Sequence, residues 1–358
     1  MKSLTEANFD ALLEKLDPKT RKRLKMAQEV SIEMLPSASL ELNDATGGGF
    51  PRGAISTVYG NFSSSKTAML LETIGRLQKA GLVCAFIDAE GTYDRAWAAR
   101  LGVDNNKLFL ITKKSFGAIF DEVRPLLEAG IDFLVWDSIS MTLPEVFIDG
   151  GELKEFDGQK QIGAAAKSAG IAINAMHYVN QCTAIVLISQ TRTDMSGMHP
   201  MQKPTNGKAV EFGSSLMVKL TSSGSEKEQI ARDVFIGNQV HKLPVGRKVK
   251  IEVTKNKVGP PNRTGTYNFY YAGSPVGIDN VDELVTIGKR YGAIRASGAW
   301  IYFDDLKWNG QPALVEALHK DDNLFAFIKK EVDMIRTGEI VNDDELGEVQ
   351  EEFTAVEA

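Results

Sequence analysis

The sequence predicts an α/β fold built on a mainly parallel central sheet, and three observations carry that expectation. Between Ile55 and Gln190, short apolar and β-branched runs alternate with stretches of helical period, the pattern of strand, crossover helix and parallel strand. At the first strand-to-helix junction, Gly60-Asn61-Phe62-Ser63-Ser64-Ser65-Lys66-Thr67 has the form of a phosphate-binding loop. From Leu216 to Tyr271 the runs turn β-rich without intervening helices, which adds antiparallel strands to the sheet.

Taken in order, residues 1–34 read as a short helical N-terminal segment, with a helix-period run at 9–16 and a basic cluster, Lys19, Arg21, Lys22, Arg23 and Lys25. Gly47-Gly48-Gly49, Pro51 and Gly53 mark a turn before the strand that feeds the phosphate loop. Residues 68–77 then continue as a helix. Strands are expected at 82–88, 107–111, 131–137 and 183–190, with helices at 94–101, 115–128 and 162–179. Further strands are expected at 216–221, 247–256 and 266–271. The core therefore spans 35–277. After Gly277 the pattern changes to helices with one short β segment near 300–303, a small α+β C-terminal domain over 278–337. Two stretches, about 149–163 and 191–210, are rich in Gly, Asp, Lys and Met and lack a periodic core. Each follows a strand end, where ligands gather in open α/β sheets.

A chain of 358 residues can bury a large core and hold more than one domain. No apolar run approaches the roughly 20 residues needed to cross a bilayer, and residues 1–16 lack the apolar centre of a signal peptide. The expectation is a cytoplasmic protein with no membrane partner. Cys84 and Cys182 are the two cysteines and lie far apart, which reads as reduced, buried thiols rather than a disulfide or a metal site. Residues 339–358 carry eight acids and no Lys or Arg, so the net charge of -6 becomes +2 without them. That tail reads either as a disordered solubilising terminus or as a polyanion competing with nucleic acid for a basic surface.

The chemistry-bearing residues fall at strand ends. In a phosphate loop, backbone N–H groups and the helix N-terminus face the phosphates, the lysine reaches the outer ones, and the following hydroxyl holds Mg²⁺. Ser65 stands where the second glycine of that motif belongs. Phe133-Leu134-Val135-Trp136-Asp137 is an apolar run closing on a carboxylate, the form of a Walker B strand whose Asp supports Mg²⁺ with Thr67. The same Asp can instead cap a helix. Glu90, closing Phe86-Ile87-Asp88-Ala89-Glu90, can polarise a water as general base, and Gln190 places a neutral amide at the same edge. Alone, either residue reads as structural; together they read as one site.

These residues, with Cys84-Ala85-Phe86-Ile87-Asp88-Ala89-Glu90, Lys255-Asn256-Lys257 and Gly298-Ala299-Trp300, resemble the bacterial RecA recombinase family over about residues 37–300. The resemblance implies a RecA-type P-loop ATPase core using ATP and Mg²⁺. It makes Gly60, Asn61, Phe62, Ser63, Ser64, Ser65, Lys66 and Thr67 the phosphate loop and Glu90 the catalytic carboxylate. Asp137 and Ser138 become the Walker B ending, with Asp137 and Thr67 at the metal, and Asp94, Trp97 and Tyr271 lie beside the adenine. Gln190 couples the terminal phosphate to DNA binding. Lys255 and Lys257 reach the ATP of a neighbouring subunit. Ile162, Gly163 and Lys167 of a first loop and Arg192, Met195, Asn206, Gly207 and Lys208 of a second contact DNA.

The implied activity is a DNA-dependent ATPase that forms helical homo-filaments on single-stranded DNA and catalyses pairing and strand exchange with duplex DNA in recombination and repair. Single-strand-binding and loader proteins are implied partners. Two other readings use the same residues: a hexameric DNA motor such as a helicase, and a nucleotide-gated binding filament with weak hydrolysis. Ser65 and the acidic Asp194 depart from the family pattern. A non-glycine residue in the loop is similar to phage recombinases of the UvsX type, which implies a phage-encoded source.

Overall fold

The alternation in the sequence becomes an eleven-stranded mixed sheet with helices on both faces. The computed structural model describes residues 11–12, 14–23, 31–149, 152–153, 163–194, 201–205, 207–222, 229–236, 239–273 and 276–338. Residues 1–33 form one unit and the remainder a second. In the first, the Asp17 carboxylate accepts the N–H groups of Lys19 and Thr20, both at 3.0 Å, at the start of the Pro18–Arg23 helix. The segment at 9–16 lies partly outside the described residues, as does Lys25.

In the second unit Met34–Leu35 (β1) pairs with Phe50–Pro51 (β2). Ile55–Gly60 (β3), Cys84–Asp88 (β4), Leu108–Ile111 (β5) and Phe133–Asp137 (β6) follow, then the short pair Ile148–Asp149 (β7) and Glu152–Leu153 (β8). Next come Ala184–Asp194 (β9), Met201–Pro204 (β10), Leu216–Thr221 (β11), Gln229–Ile236 (β12), Gln239–Asn256 (β13), Thr264–Tyr270 (β14) and Gly277–Ile278 (β15). The large sheet runs β15-β14-β13-β11-β3-β9-β6-β4-β5, with β10 on β9 and β12 on β13. The pairings from β11 to β5 are all parallel and those from β15 to β11 antiparallel.

Because strand side chains alternate faces, each strand feeds two cores. Val58, Phe86, Phe133, Val135, Val186 and Ile188 pack with Met69, Leu70 and Ile74 of the Lys66–Lys79 helix. Ile55, Ile87, Leu134, Trp136, Ile185 and Leu187 pack with Ile119 and Val123 of the Phe116–Ala129 helix and Ile173 and Met176 of the Ala164–Val179 helix. The central parallel strands are covered on both faces, as their unbroken apolar runs require.

Three expectations change. The stretch at 191–210 is largely regular where it is described: β9 runs on to Asp194 and returns as β10, with Arg192 opposite Lys203, and a helix follows at Gly207–Gly213. Thr191 and Thr193 are β-branched and favour the strand despite the polar composition. The strand expected at 247–256 begins eight residues earlier, at Gln239, and pairs with β12, so a long hairpin stands where no element is expected. Gly237-Asn238, a two-residue hairpin signal, marks it. Cys182 is only half-buried, whereas Cys84 is fully buried and its thiol is pushed up to about 12 by burial.

Beyond β15, the Asn280–Tyr291 helix, the antiparallel strands Ile294–Ser297 (β16), Trp300–Phe303 (β17) and Leu306–Asn309 (β18), and the helices Gln311–Lys320 and Asp322–Thr337 enclose a third core around Leu284, Phe303, Leu318 and Ile328. Polar contacts join this layer to the Leu40–Thr46 helix. Glu283 accepts hydrogen bonds from Ser39 Oγ and from the N–H groups of Leu40 at 3.0 Å and Glu41 at 3.2 Å. Arg290 reaches Glu41 at 2.8 Å and Asp44 at 2.6 Å.

Burial pushes the Glu283 carboxyl up to about 7, against the opposing pull of its donors. A carboxyl raised above its usual 4.5 makes the folded state bind more protons, so its stabilising contribution is complete below about pH 4.5 and lost as pH rises towards 7. The size is on the order of 1–3 kcal/mol. Urea midpoints should therefore fall between pH 5 and pH 8, and Glu283→Gln should flatten that slope.

Candidate functional site

The phosphate loop leaves the C-terminal end of β3, in the middle of the sheet, and enters the Lys66–Lys79 helix. Its first glycine is required by packing: a Cβ on Gly60 would lie 1.9 Å from the carbonyl oxygen of Leu220 on β11. Ser65 occupies the left-handed region, φ 61° and ψ 23°, so the serine takes up the geometry for which glycine is favoured. That conformation costs a non-glycine residue roughly 1–2 kcal/mol, part of it offset by the lower chain entropy that serine loses on folding. Ser65→Gly should leave urea stability unchanged or raise it by up to about 1 kcal/mol.

Ser64 is buried and donates to the Asn61 carbonyl at 2.8 Å, Asn61 donates to the Ser222 carbonyl at 2.9 Å, and Phe62 is exposed. Lys66 folds back over the loop, donating to the carbonyls of Gly60 at 3.1 Å and Asn61 at 2.8 Å and to Ser64 Oγ at 3.3 Å. Burial pushes the ammonium's pKa down, while Asp137 and Glu90 oppose that shift. All three hydrogen-bond partners are neutral oxygens, so its charge remains available to an anion. The loop thus fits a nucleotide polyphosphate.

Adjacent strand ends supply the carboxylates. Asp137, at the end of β6, accepts from Thr67 Oγ1 at 2.6 Å. This contact directs it to the loop and overturns the helix-cap alternative; Ser138 occupies the cap position of the next turn. Burial pushes the Asp137 carboxyl up to about 6, with the Thr67 hydrogen bond pulling it down and nearby Glu90 raising it. A Thr hydroxyl and a buried carboxylate side by side fit a hard cation such as Mg²⁺. Among the described residues no group of three or more His, Cys, Asp or Glu could hold a metal, so such a cation would draw its other ligands from phosphate and water.

Asp88 pairs with Asp137 in the register of β4 and β6, and its carboxylate gathers the N–H groups of Gly91, Thr92 and Tyr93 at 2.8–3.0 Å. That turn projects Glu90, which accepts from Ser138 Oγ at 2.6 Å. Gln190 is in register with Gly60, level with the start of the phosphate loop. The structure therefore brings Lys66, Thr67, Asp137, Ser138, Glu90 and Gln190 to one edge.

Two features were missed in the sequence. Ser140, Ser189 and Thr205 form a hydroxyl cluster around Gln190: its N–H donates to Ser140 Oγ at 3.1 Å, Ser140 and Ser189 both bond Thr205 Oγ1, and the Thr205 N–H donates to the Gln190 carbonyl at 2.9 Å. Arg247 lies beside the loop, donating to the Ser63 carbonyl, with its guanidinium 5.4 Å from the Tyr271 ring centre. Neither has a local sequence signal, because each contact spans many residues.

Asp94 is exposed and caps the Arg95–Arg100 helix, accepting from Ala96 at 2.7 Å and Trp97 at 2.9 Å. Trp97 is half-buried with the Arg100 guanidinium 5.2 Å from its ring centre.

Lys255 and Lys257 lie elsewhere. On β13, Asn256 pairs with Leu216, which pairs with Ser56, so this end of β13 is level with the beginning of β3. The phosphate loop is at the other end, about 13 Å further along the strand direction and two strands aside. Neither lysine is placed to reach its own loop. Lys255 instead donates to the Glu211 carbonyl and helps line a cavity with Tyr59, Gln202, Phe212 and Glu252.

Of the expected DNA contacts, Gly163 precedes the Ala164–Val179 helix with φ 85°, and Lys167, Arg192 and Lys208 are exposed. Gly207 begins the Gly207–Gly213 helix. Ile162, Met195 and Asn206 lie outside the described residues.

A sequence model of the RecA N-terminal domain matches residues 11–276. The chain belongs to the RecA family. The protein RecA of Helicobacter pylori is 33% identical to it over 316 residues, covering 85% of this chain and 84% of its own length. That of Ureaplasma parvum is 30% identical over 349 residues, 93% of this chain and 97% of its own, and that of Chlorobium limicola is 29% identical over 321 residues, 87% and 86%. The match to each relative runs well beyond the phosphate loop, so family membership does not rest on the motif that carries Ser65.

Proposed function

We propose that this RecA-family chain is a DNA-dependent ATPase and recombinase that assembles as a homo-filament on single-stranded DNA and pairs it with homologous duplex. The observation that carries the reading is the meeting of Lys66, the Thr67–Asp137 pair and the Ser138–Glu90 pair at one sheet edge, in register with Gln190. Lys66 and the loop N–H groups would hold the phosphates of ATP. Thr67 and Asp137 would hold Mg²⁺, which when bound neutralises charge developing on the transferred phosphoryl group. Glu90 orients and deprotonates the attacking water. Gln190, its backbone held by the Ser140–Ser189–Thr205 cluster, would report the terminal phosphate along β9 into the β9–β10 hairpin, where Arg192 is exposed.

Lys255 and Lys257 are too far from their own loop, which supports their action on the ATP of an adjacent subunit. Lys255→Ala should leave ATP binding by the isolated subunit within twofold of the parent while lowering DNA-stimulated turnover by about 10²-fold or more, the scale of a transition-state charge supplied in trans. Equal loss of binding in Lys255→Ala and Lys66→Ala would contradict the assignment. Single-strand-binding and loader proteins in the cytoplasm belong to the same reading, as does an acidic tail that competes with duplex DNA.

Joint-molecule formation tests the recombinase reading. A labelled single strand and a homologous supercoiled duplex should yield displacement loops with ATP and none with a heterologous duplex. Strand unwinding without homology dependence, with closed rings in electron micrographs, would favour a hexameric motor instead.

A further inference from the structure

β13 reaches past the phosphate loop as well as away from it. Ile251 pairs with Leu220, which pairs with Gly60, and the strand continues from Ile251 towards Arg247 in the direction of the loop. The Arg247 side chain accordingly donates to the Ser63 carbonyl and stacks near Tyr271. One strand thus carries a cation beside its own phosphate loop and, at its far end, Lys255, which with Lys257 just beyond the strand is proposed to act on a neighbour's.

Arg247 occupies a specific interval. One side of its guanidinium touches the phosphate cradle, and the other faces the Tyr271 ring, which the family resemblance puts beside the base. A nucleotide joins base to polyphosphate through its ribose and α-phosphate, so these groups must cross the same interval. Arg247 is half-buried, and one carbonyl bond uses only one of its five N–H donors. Among the described residues the remaining donors have no hydrogen-bonding or ion-pair partner. A planar guanidinium matches phosphate oxygens with two parallel donors while stacking on an aromatic face.

We propose that Arg247 is a nucleotide-binding residue acting in cis, pairing with the α-phosphate and ribose of the nucleotide in its own subunit's loop and bracing it against Tyr271. The inference rests on the ATP-binding reading of the loop. Because ADP and ATP share an α-phosphate, both should depend on Arg247 to the same degree.

Calorimetric titration of ADP and ATP into the full-length protein tests this, together with nucleotide-free unfolding temperatures. Arg247→Gln keeps a donor for the Ser63 carbonyl but removes the charge, and should weaken both nucleotides by about tenfold or more at an unchanged unfolding temperature. Arg247→Lys keeps the charge without the planar fork and should fall between the parent and the Gln variant. An Arg247→Gln protein binding ADP within twofold of the parent would overturn the proposal, leaving Arg247 as a tie that holds the loop. Loss of affinity accompanied by a lowered nucleotide-free unfolding temperature, and not relieved by Lys, would overturn it as well. A parent protein that bound neither nucleotide would instead remove the reading on which it rests.

Discussion

Lys66→Ala is expected to lower ATP hydrolysis by about 10²–10³-fold or more, the scale of losing one preorganised charge at a phosphoryl group. The basis is the position of the ammonium. Among the described residues its hydrogen bonds go to neutral oxygens of its own loop, and burial depresses its pKa while Asp137 and Glu90 counter the effect. In the proposed site, removing it takes away the cation that would face the phosphates, and it leaves Asp137 and Glu90 without their nearby positive charge. Nucleotide affinity should fall together with turnover. Steady-state hydrolysis and direct ADP titration check both quantities, and an alanine variant retaining parental affinity would place the phosphates elsewhere.

Glu90→Gln separates binding from chemistry. The amide keeps an acceptor for Ser138 Oγ, which holds Glu90 at 2.6 Å, but cannot take a proton from water. General-base assistance contributes about 10²–10⁴-fold, so turnover should fall by that order while ATP affinity stays within severalfold of the parent. Single-turnover hydrolysis with excess protein measures the step directly. A Gln variant hydrolysing ATP within threefold of the parent would move the base to another group.

The parts of the site legible in the sequence are those with local signatures. The phosphate loop sits in consecutive residues between a strand and a helix, and Asp137 and Glu90 each close an apolar run, so periodicity alone sends them to the same sheet edge. Asp137 stayed open between two roles because the choice depends on Thr67, 70 positions away. Arg247 gave no signal because its contact with Ser63 spans 184 positions, and one basic residue beside Lys248 and Lys250 on an expected strand has no pattern that sets it apart. The need for Gly60 likewise comes from a carbonyl on a strand far along the chain. The β9–β10 hairpin was hidden by polar composition, since exposed two-stranded ribbons lack the apolar face that sequence periodicity detects. Lys255 and Lys257 rest on family resemblance alone, because no local pattern points to them; the register of β13 shows only that they lie away from their own phosphate loop.

The most direct measurement is the rate of ATP hydrolysis by the full-length protein with and without single-stranded DNA, at fixed protein and magnesium. Slow basal turnover should rise by an order of magnitude or more when DNA is added, and the rise should disappear in Lys66→Ala and Glu90→Gln. Turnover indifferent to DNA in the parent protein would contradict the account.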